Sequence, residues 1–267
     1  IAVNKEDFEA FCRGFACNKS IEELKINCSH LYDGEIFDRL SPFFEQNSNF
    51  RSLRVSGGWG KSSTRLLSVS LSRFNTLREF ECYGIKLDDG DMEMIIGSLV
   101  GHSGITELDF GENRGIKVRG MAALAALLSN PNSSVTDLDL SMCDLDDENV
   151  AILAPALARC YTLRKLRLAQ NGDITGTGWM TIFTQLQSPQ SLLEHLDLWD
   201  NDIDNDAAML LADVMANSNQ MKILNLSECN IATAGWRAVF DALQSPRCKL
   251  QELDLNSNDL SWGFFGR

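Results

Sequence analysis

Hydrophobic and polar residues alternate in a short motif that recurs along the chain, and its cleanest copy is LQELDLNSNDL at residues 250–260. Counting from its first apolar residue, places one, four and six are apolar, as in Val135, Leu138 and Leu140. The alternation over places four to six is typical of a strand with one buried face. An apolar residue returns at place eleven and a cap-type residue follows, so a helix is predicted to begin there.

The motif occurs nine times, at steps of 27 to 30 residues. The copies begin at Ile21, Phe50, Leu77, Ile105, Val135, Leu163, Leu193, Met221 and Leu250. A constant period of this length indicates stacked repeats. One strand and one helix cannot bury both of their apolar surfaces, whereas neighbours stacked in register form a continuous core and leave the strands parallel. Isolated copies are not expected to fold.

Each predicted helix has a cap and one apolar side. The expected cap residues are Asp88, Asp146, Asp204, Thr233 and Ser261. In the fifth copy, Val150, Leu153, Leu157 and Cys160 recur at spacings of three and four, which predicts a helix that covers the strand layer with that side.

Place nine holds asparagine or cysteine, as in Asn113, Asn171, Asn201, Asn258, Cys143 and Cys229. Its side chain is predicted to bond backbone groups in the turn that leaves the strand, because buried backbone groups need partners. In the fourth and sixth copies the next apolar residue comes one place later, at Ile116 and Ile174, so their loops are expected to bulge.

The pattern LxxLxLxx(N/C)xL with 28- or 29-residue spacing and a full helix resembles leucine-rich repeats of the ribonuclease-inhibitor type. The resemblance implies an α/β solenoid, or horseshoe, with parallel strands on the concave face and helices on the convex face, used mostly to grip other proteins. It predicts one domain over residues 1–267: a helical half-repeat at 1–20, nine repeats at 21–260, and an incomplete end at 261–267 that suggests a fragment of a longer chain.

The second copy, FRSLRVSGGWG, departs most from the pattern, and a local irregularity is expected around Gly57–Ser63. Gly60, Lys61 and Ser62 resemble the end of a phosphate-binding loop. That motif requires a glycine five places before Gly60, where the chain has Val55, an expected inward-facing strand residue. A distorted repeat loop is the preferred interpretation.

Acidic clusters at 88–91 and 144–148 lack the ligand order of a calcium loop and fall where helices begin, so capping is favoured. The three histidines, His30, His102 and His195, do not form a metal-ligand spacing, and no nucleophile elbow is present. The sequence therefore predicts a protein that is not an enzyme and binds no cofactor or metal.

Charge constrains the class of partner. The net charge is −13 with 44% hydrophobic residues, which favours a folded chain and argues against non-specific binding to nucleic acid or to an anionic membrane. No apolar stretch reaches the ~20 residues of a bilayer span. Since several of the eight cysteines occupy repeat positions, free thiols in a reducing intracellular compartment, with the cytoplasm favoured, are expected rather than a disulfide scaffold.

Places two, three, five, seven and eight are predicted to point away from the helices. Across the nine copies they hold fifteen acids and eight bases, so an acidic concave face is expected to bind a basic or mixed-charge protein. The residues predicted to contact the partner are Tyr83, Asp109, Glu112, Asp139, Met142, Arg167, Asp197, Trp199, Asp200, Glu228 and Asp254. Solubility alone also accounts for exposed acids, and Trp199 can simply cover strand surface; Trp199 as a binding hot spot is preferred.

Two other functions remain open. Ran GTPase-activating proteins share this repeat class, and Arg114 is the residue that would stabilise transition-state charge in such a module. Alternatively, the chain is an architectural subunit of a larger complex, docked through Trp262, Phe264 and Phe265 at its C-terminal end.

Overall fold

A computed structural model describes residues 5–27, 49–57 and 61–259 of the protein. The chain forms two compact units, Ile1–Val135 (unit 1) and Thr136–Arg267 (unit 2). The single repeat domain over residues 1–267 stays a prediction.

Unit 1 alternates helices with parallel strands. The helices are α1 (Lys5–Cys17), α2 (Lys61–Leu71), α3 (Asp89–Leu99) and α4 (Val118–Leu128). The strands are β1 (Glu23–Asn27), β2 (Ser52–Ser56), β3 (Glu79–Tyr83) and β4 (Glu107–Asp109), and they pair in chain order. Place four of one motif pairs with place four of the next, as in Leu53 with Phe80 and Phe80 with Leu108.

Unit 2 repeats the arrangement. Its elements are β5 (Asp137–Asp139), α5 (Asp147–Leu157), β6 (Lys165–Arg167), α6 (Gly176–Leu186), β7 (His195–Asp197), α7 (Asn205–Asn217), β8 (Ile223–Asn225), α8 (Thr233–Ala242) and β9 (Glu252–Asp254). Strands β5 to β9 also pair in parallel and in chain order. These in-register parallel strands, alternating with helices, confirm the predicted α/β repeat solenoid.

The core follows the motif. Places four and six are buried, as at Leu138, Leu140, Leu196 and Leu198, whereas places three and five, on either side of place four, stay partly exposed. Full burial of each such side chain stabilises the fold by about 2 kcal/mol. The predicted apolar side of α5 is buried, and the delayed residues Ile116 and Ile174 are fully buried, so the extra loop residue is accommodated without loss of the core contact.

Three of the predicted helix caps are confirmed. Asp88 forms a capping box with Asp91, Asp146 forms one with Asn149, and the Asp204 carboxylate accepts the N–H of Ala207. The clusters at 88–91 and 144–148 thus start helices. Ser261 lies outside the described residues.

Thr233 was wrongly predicted to be a cap. Ala232 occupies the cap position with extended backbone, and Thr233 is the first residue of α8. The start of α8 is secured from the preceding repeat instead, because the Asn205 side-chain oxygen accepts the N–H of Gly235 at 2.8 Å.

Similar bonds from the preceding repeat secure the starts of α4 and α6. Asp89 accepts the N–H groups of Lys117, Arg119 and Gly120 at the start of α4. Asp147 accepts the N–H and hydroxyl of Thr175, the cap of α6. Asp89, Asp147 and Asn205 are each the first residue of the preceding helix.

Glycine permits these close approaches. A Cβ added to Gly120, Gly178 or Gly235 would lie 2.3–2.8 Å from side chains of the preceding repeat or of its own helix entry. The helix starts therefore require glycine at these three positions.

Candidate functional site

The asparagines at place nine are buried in the turns that leave the strands. Asn171 uses its whole amide: its oxygen accepts the N–H groups of Cys143 and Leu145, and its nitrogen donates to the carbonyls of Leu140, Leu168 and Ala169. Asn113, Asn201 and Asn258 make corresponding bonds to backbone carbonyls. The predicted structural role of place nine is confirmed.

Cysteine replaces asparagine at this place as a hydrogen-bond donor. The Cys229 thiol donates to the Leu198 carbonyl at 3.1 Å and the Cys143 thiol to that of Ser141. Burial raises the pKa of Cys229 to about 12, so its thiol stays protonated. Cys143 and Cys229 are buried and pack as small groups, and the raised pKa of Cys229 makes that thiol a poor nucleophile.

Place eight has a left-handed backbone, which the sequence did not predict. The residues with positive φ there are Gly57, Gly84, Glu112, Met142, Gln170, Asp200, Glu228 and Ser257. This conformation is easy only for glycine, and other residues adopt it at a cost of about 1 kcal/mol. The left-handed conformation recurs at this place although the residue type varies, so no residue pattern in the sequence predicted it.

We call the side chains at places two, three, five, seven and eight the strand face of each unit. In unit 1 this face contains three predicted partner-binding residues, Tyr83, Asp109 and Glu112. Tyr83 is 37% exposed, and a Cβ added to Gly111, in the turn after β4, would lie 3.0 Å from the tyrosine ring. The absence of a side chain at Gly111 thus leaves room for the Tyr83 ring, a contact that the sequence did not predict.

Charges in the first three repeats of unit 1 converge on one cation. Arg54 lies 3.0 Å from Glu23, 2.7 Å from Glu81 and 3.7 Å from Glu79. Although exposure to solvent limits the strength of each pair, one arginine on β2 balances three carboxylates on the two flanking strands.

Trp199 lies just after β7, the middle strand of the unit 2 face. Its backbone accepts the N–H of Gln170 on one side, and the N–H of Asp200 donates to Ser227 on the other. The place-seven neighbours Ala169 and Ser227 are buried, whereas Trp199 remains half-buried. A large ring between two small residues covers strand surface and also presents an aromatic surface to solvent, so the two interpretations of Trp199 are compatible.

The unit 2 face pairs all four of its bases. Lys165 lies 2.7 Å from Asp137 and Arg167 lies 3.5 Å from Asp139. Arg164 and Lys222 both contact Glu194, and the Lys222 hydrogen bond lowers the pKa of that carboxyl. Two of the predicted partner-binding residues, Asp139 and Arg167, are thus paired with each other.

The remaining predicted acids of unit 2 have other contacts. Asp197 accepts the Trp199 N–H, and Asp200 accepts the Gln170 side-chain amide at 2.7 Å. The Asn256 N–H and the Ser227 hydroxyl lower the pKa of Asp254, and Glu228 is exposed. Met142, expected to be exposed, is half-buried in the left-handed turn after β5.

Residues from the alternative hypotheses are placed as follows. Arg114 is exposed in the loop after β4. Val55 is fully buried in β2, as the repeat interpretation required, whereas Gly60 lies outside the described residues. Trp262, Phe264 and Phe265 also lie outside them. Among the helices that the structure describes, none has both the length and the apolar character of a membrane span.

The fold and its strand face define a repeat protein whose parallel strands present fixed side chains to solvent. A leucine-rich repeat family model matches residues 132–150 and 190–212. Together with the buried Asn/Cys turns, this match supports a leucine-rich repeat protein similar to those of the ribonuclease-inhibitor type. Arrays of this class serve as protein-interaction scaffolds.

Relatives by sequence include the NACHT, LRR and PYD domains-containing protein 4E of Mus musculus, 26% identical over 171 residues that make up 64% of this chain and 17% of that protein. The ribonuclease inhibitor of Mus musculus is 25% identical over 158 residues, or 59% of this chain and 34% of the inhibitor. The chain thus corresponds to a small part of each relative.

Among solved structures, a chain of the yeast Rad7 and Elc1 complex aligns with a TM-score of 0.64 and 16% identity, covering 94% of this chain and 60% of that one. This similarity shows the fold alone.

Proposed function

We propose that the chain is a non-enzymatic scaffold that binds a basic or mixed-charge protein through its acidic strand face. The observation that carries the proposal is Trp199, a half-buried aromatic ring on a face rich in charged residues, beside Asp197, Asp200 and Arg167. Tryptophan is enriched among residues that dominate binding energy, and neighbouring charges favour correctly oriented encounters.

The rigidity of the fold supports this function. Trp199 and Asp197 are fixed by the strand ladder and by the bond between the Asp197 carboxylate and the Trp199 N–H. Because these groups are ordered before binding, association costs less conformational entropy than it would on a mobile loop. The relatives by sequence also carry leucine-rich repeats, which is consistent with a role in binding.

The test is affinity capture with the wild-type chain, Trp199→Ala and the matched control Tyr161→Ala. Tyr161 is another exposed aromatic of unit 2, but it lies in the loop after α5, away from the strand face. A true partner, confirmed with purified protein, should bind wild type and Tyr161→Ala alike and bind Trp199→Ala at least about tenfold more weakly. Equal binding by all three proteins would contradict the proposal.

A further inference from the structure

Charge is unevenly divided along the unit 2 strand face. The β5 and β6 motifs carry two acids and three bases: Asp137, Asp139, Arg164, Lys165 and Arg167. The β7 to β9 motifs carry six acids and one base: Glu194, Asp197, Asp200, Glu228, Glu252, Asp254 and Lys222. The face is therefore dipolar, with a slight positive excess at one side and a strong negative excess at the other.

Internal ion pairs sharpen this division. Asp137 and Asp139 are paired with bases of β6, and Glu194 is paired with Arg164 and Lys222. The ion pairs among the described residues involve none of the five remaining acids, which are Asp197, Asp200, Glu228, Glu252 and Asp254. The acids that can accept a partner's cation thus all belong to β7–β9.

Acidic residues also line the surface beyond the ends of strands β7, β8 and β9. An open pocket of about 530 Å³ lies in the loops after β7, β8 and β9, and its walls include Asp200, Asp202, Glu228 and Asp259. None of its lining residues is basic. Trp199 stands at the border, directly before Asp200 and beside the paired bases of β6.

We propose that the β7–β9 part of the unit 2 strand face is the docking site for arginine or lysine side chains of a partner protein, presented by a short extended segment whose apolar residue packs on Trp199. This inference rests on the proposed function and specifies its partner. Strands lie about 4.8 Å apart and an extended chain advances about 3.3 Å per residue, so three or four residues reach from β7 to β9. The paired β5–β6 part contributes little to cation binding, because its acids already have partners.

The probe is a fluorescein-labelled peptide, Leu-Gly-Arg-Gly-Arg-Gly-Arg, titrated against the full chain by fluorescence anisotropy at about 0.1 M salt, where the screening length is about 10 Å. The test variant is Glu228→Lys with Glu252→Lys. The matched control, Asp213→Lys with Asp241→Lys, makes the same change in net charge on the exposed surfaces of α7 and α8. Thermal unfolding followed by circular dichroism verifies that both variants fold.

The expected result is binding by the wild-type chain, a loss of at least tenfold in the strand-face variant, and a change of less than twofold in the helix variant. A peptide with glutamate in place of arginine should not bind. Equal losses in both variants would show diffuse attraction to an acidic protein, and no binding by the folded wild-type chain would remove the site; either result overturns the inference.

This outcome is separable from that of the proposed function. If a native partner is lost with Trp199→Ala but binds equally to both lysine variants, the scaffold function stands and the cation site is wrong. If Trp199→Ala and Tyr161→Ala retain partners alike, the scaffold function itself fails at this face.

Discussion

The asparagine turns at place nine and the acidic residues of β7–β9 come from the same motif, only a few residues apart. In the turn, Asn171 is fully buried and every hydrogen bond of its side chain goes to the backbone of its own or the preceding repeat. On the strand face, Glu228 and Glu252 are exposed and enter no ion pair among the described residues. Residues that recur in the motif hold the repeats together, and residues that vary are available for recognition.

The largest expected effect on stability comes from a substitution in the asparagine turns. Asn171→Ala leaves buried N–H and carbonyl groups of two repeats without partners, so the free energy of unfolding should fall by about 3 kcal/mol or more. Urea denaturation measures the change. Asn230→Ala, which changes an exposed residue in the loop after β8, should alter stability by less than about 0.5 kcal/mol. Equal effects of the two substitutions would show that the buried network is dispensable.

A smaller effect is expected where Asp89 holds the start of α4. Burial opposes the charge of Asp89, but the N–H groups of Gly120, Arg119 and Lys117 outweigh it and lower its pKa. Asp89→Ala should therefore destabilise unit 1 by about 2 kcal/mol near pH 7. Glu93→Ala, which removes only an exposed ion pair with Arg119, should cost less than about 0.5 kcal/mol.

The pH dependence of Asp89 has a definite sign. Because the native pKa lies below the unfolded value of about 4, the unfolded chain takes up the proton first as the pH falls. The stabilisation is thus complete above about pH 4 and is lost as the pH falls through the native pKa. The stability difference between wild type and Asp89→Ala should shrink in that acidic range, and a difference that grows there would refute the assignment.

The smallest expected effect on stability comes from substitutions at place eight of the strand face. Glu112 has a positive φ of 59° and is exposed, so Glu112→Gly should raise the free energy of unfolding by about 0.5 to 1 kcal/mol. The reverse exchange at the equivalent place, Gly84→Ala, should destabilise, because Gly84 has a positive φ of 63° that an alanine adopts only with strain. Denaturation midpoints of the two variants should move in opposite directions.

The sequence correctly predicted the features that depend only on the repeating motif. Apolar places four and six, the turn bonds of Asn171 and the cap at Asp146 all follow from a residue's place in its own motif. Thr233 failed because Ala232 takes the cap position of α8, whose start is bonded instead by Asn205 of the preceding repeat. Single-repeat patterns do not contain such bonds between neighbours.

The candidate site was predictable in part. Alternation identified the outward residues, including Trp199 and Glu228, before their exposure was known. The pairing of Asp139 with Arg167 depends on the lateral register of β5 and β6, as does the distribution of the other paired acids. Net charge along the chain therefore indicated an acidic face without showing which carboxylates remain available.

The helix-start glycines make the repeating unit longer than the motif. Gly120, Gly178 and Gly235 are separated by 58 and 57 residues, two motif lengths, and each meets side chains that a Cβ would strike. Deleting one repeat would stack a helix whose start requires glycine against a repeat that does not precede it in the native chain. Deleting two repeats would restore the native alternation of neighbours. Deletions, duplications and grafts in this chain should consequently be made in pairs of repeats, which makes the pair the natural module for shortening or extending it.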